Sequence, residues 1–219
     1  MTDTSLNRNR IIFVVELLLA LLVNAMPLLH LPLDWFQTFF HEFSHGLAAL
    51  LTSGRIETIS IAFDASGKCL TRGGFTPLIL FSGYAGSAVW GTLIYLSVSA
   101  RHAKKIALGL GLFVCVVGLL WVRDWTTPWI LLCIVAMFLL AYRYGSRKWT
   151  HRFVELTGLY VVLEAIRSPT YLFDGKRIGD GGALAALTHI PEFVWIGVWI
   201  IMAAGLAVFL FQRSTRATR

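Results

Sequence analysis

Charge is scarce in this chain: only 14% of its 219 residues are Asp, Glu, Lys or Arg, against roughly a quarter in soluble domains. With 57% of the residues hydrophobic, that balance excludes an ordinary water-soluble domain. Cysteine is scarce as well. Cys69, Cys115 and Cys133 have no C-x-x-C spacing, which excludes a disulfide framework and a thiolate metal site. Long polar linkers, internal repeats and low-complexity tracts are missing too, so residues 1–219 read as one domain. The net charge is +7, but the 19 Lys and Arg fall in short clusters between apolar runs rather than along one polar face. They read as membrane-edge anchors, with the lipid bilayer as partner and no nucleic acid.

What the chain has in quantity is apolar sequence. Candidate membrane segments are Ile11–Leu29, Leu33–Ser53, Phe75–Ser99, Ile106–Val122, Trp129–Tyr142, Phe153–Ile166 and Phe193–Phe211. A bilayer core takes about 20 helical residues to cross. The expectation is an all-α polytopic membrane bundle of six or seven helices, according to whether the short sixth segment crosses. Arg8 and Arg10 precede the first run and Val23-Asn24-Ala25 has the form of a signal-peptidase site. The run is too long for a signal core and contains Glu16, so it reads as an uncleaved first helix.

Loop charges bear on orientation. If all seven segments cross, Arg101/Lys104/Lys105, Arg143/Arg147/Lys148/Arg152 and Arg213/Arg216/Arg219 share one side. Arg8 and Arg10 then fall on the other, which leaves orientation open. In the same arrangement the loop Arg167–Gly179 lies on the side of the segment Arg55–Gly74.

That segment has a period of two: Glu57, Ile59, Ile61 and Phe63 alternate against Ile56, Thr58, Ser60 and Ala62. With Asp64-Ala65-Ser66-Gly67 as the turn, it predicts a small β-hairpin after the second helix, closed by Gly73-Gly74. Hairpin edges cannot be left in hydrocarbon, so the hairpin belongs in the interface or against a wet cavity.

The second membrane segment contains His41-Glu42-Phe43-Ser44-His45, an H-E-x-x-H pattern. Residues four apart stack on one helix face, so both imidazoles can reach one Zn²⁺, with Glu42 beside it as general base and acid. Ionisable groups at membrane depth are costly, and they are usually functional or paired. The competing reading is a polar helix face that hydrogen-bonds its neighbours.

A catalytic zinc takes three protein ligands and keeps one open position. His30 and His102 sit at segment ends, His151 lies in a basic loop, and His189 precedes Pro191. Asp180, in Gly179-Asp180-Gly181-Gly182, is a carboxylate on a glycine-flexible turn before an apolar helix and is the first choice as third ligand. Asp174 is the alternative. Either could instead be a helix N-cap. Gly83, Gly86 and Gly91 read as small residues for close helix packing. Glu16 and Glu164 are further intramembrane acids, either lining a water path to the metal or paired structurally.

These motifs resemble the site-2 proteases, zinc metalloproteases that cut within the membrane. The resemblance rests on His41-Glu42-Phe43-Ser44-His45 and Asp180-Gly181-Gly182. A compact branch of the family is similar also through His45-Gly46-Leu47-Ala48-Ala49, Thr71-Arg72-Gly73-Gly74 and Gly83-Tyr84-Ala85-Gly86-Ser87. It implies His41, His45 and Asp180 as zinc ligands and Glu42 as the catalytic residue. One departure stands out: the family pattern carries Asn and Pro before D-G-G, whereas here no Asn follows Asn24 and Ser168-Pro169 stands nearby. The donor that stabilises the oxyanion is therefore unidentified.

The expected function is zinc-dependent endoproteolysis of membrane-protein or peptide substrates in or near their transmembrane segments. The alternatives are a zinc-binding membrane protein without hydrolytic activity and a structural protein. Short loops without organelle signals point to a bacterial cytoplasmic membrane.

Overall fold

The computed structural model describes residues 3–26, 28–174 and 179–216; the side chains of residues 3–9, 174 and 215–216 lie outside the description. The chain runs through α1 (Asp3–Asn24), α2 (Leu31–Leu51), β1 (Arg55–Ile61), β2 (Gly67–Arg72), α3 (Thr76–Ser97), α4 (Ala103–Trp121), α5 (Thr127–Tyr144) and α6 (Arg147–Arg167). A 3-10 turn (Ser168–Asp174), α7 (Asp180–Thr188) and α8 (Glu192–Arg216) follow. The described residues are mostly helical, with one two-stranded antiparallel sheet.

Among the described residues, four helices are long and apolar enough to cross a membrane: Thr76–Ser97, Ala103–Trp121, Thr127–Tyr144 and Glu192–Ser214. The second and sixth expected segments do form helices, but their charged and polar residues lower their mean hydropathy. In α2 these residues lie on one face, and α6 carries a buried Glu155 and Glu164. Both helices are largely enclosed by their neighbours, so their polar groups face protein.

The division of α2 into two faces organises the structure. Phe36, Phe39, Phe40 and Phe43, spaced by three, one and three, form a buried stripe. Phe36 packs on Phe138 of α5, Phe40 on Trp90 of α3, and Phe43 edge-on to Phe113 of α4. The opposite stripe is Asp34, Gln37, Thr38, His41 and His45, again at helical spacing. Burying the aromatic stripe therefore points the imidazoles away from the lipid-facing helices and toward α3 and α7.

The hairpin folds back on α2. Thr38 Oγ1 donates to the Ala65 carbonyl at 2.8 Å, and Trp35 Nε1 to that of Phe63 at 3.2 Å. Gly73 and Gly74 close it with φ of +71° and +84°, backbone values that favour glycine. One detail departs from the expected alternation. The pairing passes from Ile56↔Thr71 to Thr58↔Leu70 with Glu57 bulged out, and one extra residue reverses the facing of everything before it. Ile56 is therefore buried together with Ile59 and Ile61, and Phe63, past the strand end, is 56% exposed. The end of β1 is tied to α5, where the Ile61 N–H donates to Thr127 Oγ1 at 2.8 Å.

Glycines bring α3 against two partners. A Cβ at Gly91 would lie 2.7 Å from the Gly158 carbonyl oxygen, so α3 and α6 touch backbone to backbone; Gly86 is covered by Ser44. Close packing is thus the role of these two.

The ends of α6 carry separate polar networks. At its start, Arg152 bridges Glu16 at 3.1 Å and Glu155 at 2.7 Å. Toward its end Tyr160 donates to Asp34 at 2.5 Å, Asn24 donates to Glu164, and Arg167 donates to Asn24. Glu16 is thus structurally paired, whereas Glu164 is paired and also lines a cavity that reaches His41.

Candidate metal centre

Three ligand-type atoms converge where α2 meets α7. His41 Nε2 lies 3.1 Å from His45 Nε2 and 3.1 Å from Asp180 Oδ2, and His45 Nε2 lies 3.2 Å from the same oxygen. Tetrahedral zinc with bonds of 2.0–2.1 Å separates its ligand atoms by about 3.3 Å. The triangle therefore has the size and the two-imidazole, one-carboxylate chemistry that such an ion takes. It is also the group among the described residues in which three His, Cys, Asp or Glu side chains could hold a metal ion.

The backbone prepares each corner. His45 Nδ1 donates to the Ile79 carbonyl at 2.6 Å. A carbonyl only accepts, so the proton sits on Nδ1 and the Nε2 lone pair faces the triangle. Gly179 holds φ +93° and ψ −166°, values that favour glycine, and turns the chain so that Asp180 opens α7 pointing at both imidazoles. Burial opposes ionisation of Asp180, yet its contacts with His41 and His45 hold the carboxyl below the ordinary carboxylate range.

Gly83 of α3 faces the triangle. A Cβ there would stand 2.5 Å from His45 Nε2 and 2.6 Å from His41 Nε2, in the space a bound ion or its fourth ligand would occupy. The sequence pattern assigns Gly83 to helix packing; its position leaves the ligand atoms accessible instead. Tyr84 follows it, with its ring edge-on to His41 at 4.5 Å between centroids. The motif Gly83-Tyr84-Ala85-Gly86 is the sequence signal for both.

Glu42 is buried beside the triangle and accepts a hydrogen bond from the Cys69 backbone N–H of β2. The first residue of β2, Gly67, lies directly over the Glu42 carboxylate. Two cavities meet there. One of about 430 Å³ is lined by Glu42, His45, Gly67, Cys69, Leu80 and Asp180. Another of about 400 Å³ is lined by Gln37, His41, Gly67, Tyr84, Glu164 and Arg167.

The other histidines are engaged elsewhere: His30 with Asp34 at 2.6 Å, His102 with Ser99 at 3.2 Å, His151 with Glu155 at 3.3 Å, and His189 as the left-handed residue ending α7. The Asp174 side chain lies outside the described residues, so its place relative to the triangle is not assigned. All three cysteines are free. Burial, then the Glu42 charge, push the Cys69 thiol up to about 12, far from a thiolate ligand.

Comparison with curated proteins returned no match, and comparison with solved structures returned none. The family model described as Peptidase M50B-like matches residues 14–210, nearly the whole chain, including both halves of the His41/His45/Asp180 triangle. The chain therefore belongs to the Peptidase M50B-like family, membrane metalloproteases in agreement with the resemblance carried by its motifs.

Proposed function

We propose that this protein is a zinc-dependent intramembrane endopeptidase that hydrolyses peptide bonds in or near transmembrane segments of membrane proteins. The observation that carries the proposal is the triangle of His41 Nε2, His45 Nε2 and Asp180 Oδ2 with the buried carboxylate of Glu42 beside it. In this reading His41, His45 and Asp180 hold the metal. Zinc, when bound, supplies a Lewis acid that polarises the scissile carbonyl and makes water acidic enough to deprotonate near neutral pH.

Glu42 takes a proton from the attacking water as its oxygen adds to the carbonyl carbon. It returns that proton to the amide nitrogen as the C–N bond breaks, leaving a carboxylic acid and an amine, between which the remaining water proton passes to give carboxylate and ammonium. The Cys69 N–H holds one end of the general base. The substrate lies extended, because helical amides are shielded. The edge of β2 not paired with β1 offers backbone partners for strand addition, and the cavity lined by Glu42, His45 and Asp180 marks where the substrate meets the general base.

In the same reading α1, α2 and α6 join the four apolar helices in crossing the bilayer, their polar groups satisfied by neighbouring helices. The host membrane is a bacterial cytoplasmic membrane, and substrate selection falls to membrane-embedded surfaces.

The test is reconstitution of the full chain in liposomes with a set of single-span membrane peptides, products being read by mass spectrometry. Wild type should cleave in zinc-dependent fashion and Glu42→Gln should not. Bound zinc without cleavage of any substrate would instead favour a non-hydrolytic zinc-binding protein.

A further inference from the structure

Water adding to a peptide carbonyl leaves negative charge on the carbonyl oxygen, and one preorganised donor aimed at that charge is worth roughly 10²–10³ in rate. Several donors lining the cavity that holds His41, or close behind it, are committed. Thr38 donates to the Ala65 carbonyl. Arg167 is held by Glu164, Asn24 and the Tyr171 hydroxyl. Asn24, the last asparagine in the chain, is bound to Tyr160 and Glu164.

Tyr84 is different. Its hydroxyl makes no hydrogen bond among the described residues, and it lines the same cavity as His41. Its ring stands edge-on to His41 at 4.5 Å and lies against Trp199 at 4.7 Å. Trp199 is itself pinned, its indole N–H donating to the Phe81 carbonyl at 3.0 Å. The phenol is also within electrostatic reach of Asp180 and Glu42. Position 83 before it is glycine, which keeps the space in front of both imidazoles clear. A rigid aromatic ring thus holds an uncommitted O–H at the wall of the site.

We infer that Tyr84 is a catalytic residue that donates its hydroxyl hydrogen to the oxyanion forming on the substrate carbonyl beside His41. This inference rests on the peptidase reading. A phenol suits the role because it stays neutral at physiological pH and donates without carrying a charge into the membrane.

The experiment uses the full-length protein in detergent, loaded with cobalt(II) in place of zinc, and follows the cobalt visible bands while inorganic phosphate is added. Phosphate presents a tetrahedral oxyanion to the open position without any demand for a peptide sequence. Imidazole, which offers no oxygen acceptor, is the control probe. Tyr84→Phe should hold as much cobalt as wild type and bind imidazole equally. Its phosphate affinity should fall roughly 10- to 100-fold, the range for a hydrogen bond to a charged acceptor. Equal phosphate affinity in the two proteins would overturn the assignment while leaving the peptidase reading intact. Loss of cobalt from Tyr84→Phe alone would also overturn it, by making the hydroxyl structural. If wild type takes up cobalt but binds neither probe, or takes up no cobalt, the peptidase reading itself fails and the assignment falls with it.

Discussion

Gly67 and Glu42 touch so closely that no side chain fits between them. A Cβ on Gly67 would lie 2.7 Å from Glu42 Cγ and 2.6 Å from Thr38 Cγ2. The hairpin thus presses its bare backbone onto the residue assigned as general base, and the Cys69 N–H two residues on completes the clamp. Gly67→Ala should keep its zinc, because neither imidazole is touched, yet displace the carboxylate. A misplacement near 1 Å costs on the order of 10²-fold in rate. Cleavage assays beside metal analysis check this; a variant with wild-type activity would show that the contact does not position Glu42.

Gly83 makes the complementary prediction. Its missing Cβ leaves room within 2.6 Å of both imidazole Nε2 atoms, so Gly83→Ala should weaken metal binding while leaving the helix intact. Loss of at least about tenfold in zinc affinity is expected, a size usual for changes around a ligand set. Competition with a chromophoric chelator measures it, and circular dichroism reports whether α3 survives.

A third prediction concerns the anchor between hairpin and bundle. Asp124 Oδ2 accepts from the Thr126 and Thr127 N–H groups at 3.0 and 2.9 Å, and from both hydroxyls. Thr127 in turn receives the Ile61 N–H. Partial burial opposes ionisation of Asp124, but these donors prevail and hold its carboxyl below the ordinary carboxylate range. A carboxyl depressed on folding stabilises the protein above the unfolded carboxylate pKa, and the contribution is lost as pH falls through the folded value. Asp124→Ala should therefore lose about 1 kcal/mol at neutral pH and differ little from wild type at strongly acidic pH. Thermal unfolding in detergent at both pH values tests the sign.

Much of the site could be read from local sequence. Four-residue spacing puts His41 and His45 on one face, and the hairpin turn and the glycines around Asp180 are likewise local patterns. What escaped depends on longer range or finer register. The bulge at Glu57 shifts the facing of Ile56 by one residue, and no composition signal distinguishes a bulged strand from a regular one. Gly83 and Tyr84 fit a packing stripe equally well until α3 is docked against α2. Asp180 lies 139 residues from His41, and only the assembled bundle brings the two together. The number of crossings resisted reading for a related reason: α2 and α6 carry polar groups that protein, rather than lipid, surrounds.

The most direct test of the central claim is metal content. The full-length protein, purified gently in detergent, is compared with His45→Ala, Asp180→Ala and Glu42→Gln by elemental analysis. Wild type and Glu42→Gln should each hold about one zinc, and the other two should lose it, as expected for a site with three protein ligands and one open position. Wild type without zinc, or Asp180→Ala with its zinc fully retained, would contradict the account.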